Sequence, residues 1–100
     1  MVEKLRDIIT KRIATHPEYD YGITKCWEEA MQLVKENPEE VLSFIINDAT
    51  DEEVYWFSET LCDIYDLGRD ERFVQAFINR ANQITDAEMK RSILQEIEYI

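Results

Sequence analysis

Apolar residues recur three and four positions apart along almost the whole chain, and the breaks between these stretches are only a few residues long. That spacing sets the apolar side chains on one face of an α-helix. The pattern predicts an all-α fold of about six short helices packed as antiparallel helical hairpins. With 100 residues, 45% of them apolar, and eleven aromatics, one domain over residues 1–100 can bury a core without disulfide or metal staples. Met1 reads as a native start, so a complete small protein is expected.

The first helix is expected from about Val2 to Thr15, with Leu5, Ile8, Ile9 and Ile13 facing inward and His16-Pro17 ending it. Glu18 to Gly22 reads as a loop holding Tyr19 and Tyr21. The second helix, about Ile23 to Glu36, buries Trp27, Ala30, Met31 and Val34. Asn37 as cap and Pro38 at the first helical position open the third. Its Val41, Leu42, Phe44, Ile45 and Ile46 cover a wide arc, so this helix should be central. Thr50 with Glu53 forms a capping box for the fourth, which should run to about Leu67 and stop at a left-handed Gly68. Val54, Phe57, Leu61 and Ile64 make its inner stripe. The fifth spans about Asp70 to Asn82, with Phe73, Phe77, Ile78 and Ala81 inward. Thr85 with Glu88 is a second capping box, opening a sixth helix that carries Met89, Ile93, Leu94 and Ile97.

The chemistry-bearing residues argue against catalysis. His16, the sole histidine, precedes a proline at a helix end, where a cation complementing the helix C-terminus is the simpler role. Cys26 and Cys62 fit neither a redox nor a zinc spacing, and read as reduced core thiols in a cytoplasmic protein. Asp48 to Glu59 imitates a calcium loop, but Glu53 stands where the required glycine should be. Gly22 and Gly68 alone cannot make a phosphate-binding loop. The expectation is a binding protein, not an enzyme, with no cofactor and no metal. No apolar run approaches the length of a membrane span.

Charge gives the functional direction. There are 22 acids against 11 bases, a net of −11, which disfavours nucleic acid and anionic membranes as ligands and favours a basic protein. The excess is not evenly spread. Residues 1–26 hold four acids and five bases, residues 72–100 four and four, and residues 27–71 fourteen acids against Lys35 and Arg69. On an unbroken fourth helix Glu52, Tyr55, Glu59 and Asp66 line one exposed strip, with Asp63 beside them. Trp56, with Glu52 and Glu53 one turn back and Glu59 one turn on, falls at the edge of the apolar stripe. Like charges one turn apart weaken a helix by a few tenths of a kcal/mol per pair, and evenly spread charge would give the same solubility without that cost. Glu52, Tyr55, Trp56, Glu59, Asp63 and Asp66 are therefore the expected partner-binding residues, aromatic anchors in an acidic frame.

In length, charge and helical layout the whole chain resembles the small acidic all-helical immunity proteins of contact-dependent growth inhibition and other polymorphic-toxin systems. The segment Asp51-Glu52-Glu53-Val54-Tyr55-Trp56-Phe57-Ser58-Glu59 is similar to stretches of such domains. The helical inhibitors of colicin nucleases carry a Tyr-Tyr-Pro motif, which this sequence lacks, so none of their residues is carried over. The resemblance implies neutralisation of a cognate toxin, a nuclease with a basic cleft, usually the C-terminal domain of a larger effector. The alternative from composition alone is a helical interaction adaptor or scaffold with no toxin partner.

Overall fold

The computed structural model describes residues 2–16 and 18–100. The helices are α1 (Val2–Ala14), α2 (Asp20–Glu36), α3 (Pro38–Ser43), α4 (Asp51–Phe57), α5 (Leu61–Gly68), α6 (Glu71–Gln83) and α7 (Ala87–Glu98). A π-helical turn, Phe44–Asp48, prolongs α3, and a 3-10 turn, Ser58–Thr60, joins α4 to α5. The fold is all-α, six rods of which the fourth is made of two halves, and no strand occurs among the described residues. Pro17, expected to stop α1, lies outside the described residues.

Helix α1 packs on α2 and α6 on α7, while α4 lies against α1 and α7 and the π-turn lies against α6. One cluster of buried apolar side chains takes members from every helix. Phe57 is at its middle, its ring centroid 6.1 Å from that of Trp27 and 6.0 Å from that of Phe77. Both pairs are tilted, which suits the ring quadrupoles.

Two arginines hold the passage from α3 into α4. The Ala49 N–H donates to the Phe44 carbonyl, five residues back, at 2.8 Å, and so is lost to the Ile45 carbonyl. Buried Arg80 of α6 replaces it, donating from Nη1 to that carbonyl at 2.6 Å and from Nη2 to Asp51 at 3.1 Å. Arg6 of α1 donates to the Asp48 carbonyl at 2.8 Å and to both oxygens of Glu53 at 2.8 and 3.1 Å. Thr50 and Glu53 close the expected capping box. Burial pushes the Glu53 carboxyl up, but Arg6 and Thr50 outweigh it and hold it below the usual glutamate range. Of the carboxylates in the segment that imitates a calcium loop, Asp51 and Glu53 are thus held by arginines.

Several expected features differ, each for a local reason. Helix α2 begins at Asp20, so the loop is shorter; Gly22 lies in the first turn, where a Cβ would come within 2.6 Å of the Tyr19 ring. The Asn37 side chain makes no capping bond. The extra residue per turn at the π-turn shifts the helical phase and leaves Ile46 52% exposed. The inner faces of α1 and α6 pass through Arg12 and Arg80, leaving Ile13 and Ile78 half-buried, and Leu33 takes the place of Met31 in α2. The left-handed residue after α5 is Arg69 at φ 53°, not Gly68. Asp86, not Thr85, caps α7, accepting from the N–H groups of Glu88 and Met89, and of the α7 stripe only Ile93 is fully buried. His16 is exposed and its Nδ1 accepts the Glu18 N–H at 3.1 Å. Cys26 and Cys62 are free and half-buried, and Cys26 packs against the margin of the core.

Candidate partner-binding face

The expected strip assumed one straight fourth helix, and that helix is interrupted. Ser58 Oγ donates to the Tyr55 carbonyl at 2.6 Å and Thr60 Oγ1 to the Phe57 carbonyl at 2.7 Å. Both hydroxyls are buried and must find acceptors, and the carbonyls three residues back serve. Three residues wound at three per turn instead of 3.6 advance the following helix by roughly 60°. Glu52, Tyr55 and Trp56 stay on α4, while Asp63 and Asp66 are turned on α5 toward α2.

Glu59, in the 3-10 turn, connects the two halves and is spoken for internally. Arg12 of α1 donates to it three times, at 3.0, 3.1 and 3.3 Å, and the Trp27 indole N–H donates at 3.3 Å. The Arg12 guanidinium also lies over the Trp56 ring, 4.9 Å from its centroid. Tyr55 meets Trp56 edge-on at 5.6 Å. Arg12 with Glu59 and Arg6 with Glu53 share a separation of 47 residues, so α1 runs alongside α4 and the 3-10 turn in the same direction. Tyr55 and Trp56 are half-buried, neither sealed nor free.

Beyond Trp27 a groove of about 560 Å³ opens between α2 and α5. Ile23, Trp27, Met31 and Leu67 form its apolar lining, and Leu67 is 41% exposed. Glu28 on α2 and Asp63 and Asp66 on α5 stand along it, with Lys35 at one end. These three acids are exposed and enter no ion pair among the described residues. The field of Asp63 and Asp66 reaches Cys62, whose thiol is pushed up by burial first and then by Glu96, Asp63 and Asp66.

Three of the six expected residues, Tyr55, Trp56 and Glu59, are linked by contacts, and Asp63 and Asp66 line the adjoining groove. Tyr55 touches Trp56, Trp56 touches Arg12, Arg12 holds Glu59, Glu59 takes the Trp27 indole, and Trp27 lines the groove of Asp63 and Asp66. Glu52, exposed, lies one turn before Tyr55 and Trp56 on α4. Glu59 differs from expectation, being a tether inside this path and not a free acid. Sequence reasoning missed Arg12, Glu28 and the groove-facing side of Trp27. Arg12 had left a signal: it falls seven, four and three residues after Leu5, Ile8 and Ile9, a base on an apolar stripe. Compared with known proteins, the chain matches no family model, no curated protein and no solved structure. No helix among the described residues is long and apolar enough to cross a membrane.

Proposed function

We propose that this chain is an inhibitor of the immunity-protein kind, binding the basic toxin domain of a larger effector with the face made by α2, α4 and α5. The observation that carries the reading is that Tyr55, Trp56, Arg12, Glu59 and Trp27 are linked side chain to side chain up to the edge of the groove lined by Asp63 and Asp66, while Glu28, Glu52, Asp63 and Asp66 are exposed and enter no ion pair among the described residues. Such a face steers a positively charged partner into register and leaves half-buried aromatics to anchor it. A toxin that cuts nucleic acid has a cationic cleft of the complementary sign, and covering that cleft or its border would silence it.

Asp63 and Asp66 are better test positions than Glu59, because their side chains hold nothing else in place. The reading expects a toxin gene directly ahead of this one, and co-expression of the chain with that toxin's C-terminal domain should relieve growth arrest. Asp63→Lys with Asp66→Lys should slow association with that domain roughly tenfold, with most of the difference vanishing in high salt. Association at an unaltered rate, or growth arrest that the native chain does not relieve, would remove the basis of this assignment.

A further inference from the structure

We infer that the α2–α5 groove receives a basic amphipathic helix of the partner, about three turns long, whose apolar seam is flanked by lysine or arginine. The inference rests on the partner reading above and adds the form and chemistry of the segment bound. The groove follows α2 from Ile23 to Lys35, a rise of about 18 Å at 1.5 Å per residue, which matches roughly three turns of a second helix. Its walls are helices, so their backbone groups are already bonded, and no strand edge exists among the described residues to pair with an extended peptide. Ile23, Trp27 and Met31 form one i, i+4 ridge on α2, and Thr24, Glu28 and Gln32 form the next. A furrow beside such ridges accepts the ridges of another helix.

The chemistry of the occupant follows from the lining. Met31 and Leu67 offer an adaptable apolar contact for a seam of leucine-like side chains. Glu28 on one wall and Asp63 and Asp66 on the other place carboxylates on both flanks of that seam. Other grooves mix the signs: that beside Tyr19 and Tyr21 sets Lys11 and Lys25 against Glu29, and that on α7 sets Lys90 and Arg91 against Glu98. The α2–α5 groove holds three acids against Lys35 and suits a cation.

The test uses the whole chain, isotope-labelled for NMR, and three synthetic peptides of about 14 residues. One is a leucine–lysine peptide patterned as an amphipathic helix, the second has the same composition interrupted by proline, and the third carries glutamate for lysine. The helical cationic peptide should move the amide signals of Ile23, Glu28, Met31 and Leu67, and the other two should not. Leu67→Glu, and separately Glu28→Lys with Asp63→Lys, should weaken that binding roughly tenfold. All three positions are exposed, so the variants should keep the parent far-UV spectrum. Equal binding of the proline-broken peptide, signals moving on another face, or no binding at all would overturn the groove assignment. The co-expression experiment judges the inhibitor reading separately, since it scores toxin neutralisation whatever segment is bound.

Discussion

Arg12 shows what one side chain inside this core must reconcile. Its guanidinium is nearly out of water, and an isolated charge there would be costly. Glu59 supplies the counter-charge, the Trp56 face covers the guanidinium, and Glu59 keeps enough exposure to remain hydrated. Glu96 of α7 lies close enough to feel the same carboxylate. Its own carboxyl is pushed up, first by burial and then by Glu59. A folded-state pKa above the unfolded one means that folding loses stability as pH rises from the ordinary glutamate value through the raised one. Glu96→Gln should therefore melt at a higher temperature than the parent at neutral pH, with the advantage gone below about pH 4. Melting curves across that range would check it, and identical curves at neutral pH would show that the charge of Glu96 is costless.

At the level of elements, the weak point of an all-helical chain is where a helix stops being regular. The π-turn after α3 frees a buried carbonyl, and α6 brings in an arginine to satisfy it. Arg80→Met keeps the volume and apolar stem but leaves the Ile45 carbonyl bare and Asp51 without its cation. It should cost about 2 kcal/mol in urea denaturation. Ile46→Ser, next to that carbonyl in sequence but on the open side of the turn, should change stability by under about 0.5 kcal/mol. Equal effects of the two substitutions would mean that Arg80 is not the partner that matters. The break between α4 and α5 works in the other direction: by satisfying Ser58 and Thr60 it turns the acids of α5 toward α2 and so creates the groove.

For the molecule as a whole, the charge blocks seen along the chain interlock on folding. Arg6 and Arg12 from the first block pair with Glu53 and Glu59, and Arg72 and Arg80 from the last pair with Glu39, Asp70 and Asp51. Pairing arranges the charge without removing it, and a net of −11 still repels itself in a fold whose radius of gyration is 12.5 Å. Added salt should therefore raise the melting temperature between about 0.01 and 0.15 M ionic strength, since long-range repulsion is screened more than the partly buried pairs. A fall over that interval would show that the ion pairs outweigh the repulsion.

The helices, the Thr50–Glu53 capping box and the inner stripe Val54, Phe57, Leu61 and Ile64 were legible in the sequence, because periodicity and capping act within a turn or two. So was the concentration of acid in residues 27–71. What each acid does was not. Glu53 and Glu52 are neighbours, yet one is buried against Arg6 and the other is exposed; Glu59 and Asp63 are one turn apart, yet one is tied to Arg12 and the other is open to the groove. The deciding arginines lie 47 residues away, and only the packing of α1 against α4 brings them within hydrogen-bond range. The chain's local pattern determines which segments are helical and which faces turn inward. Long-range pairing, whose partners no local spacing reveals, decides which charges are spent in holding the fold and which stay exposed.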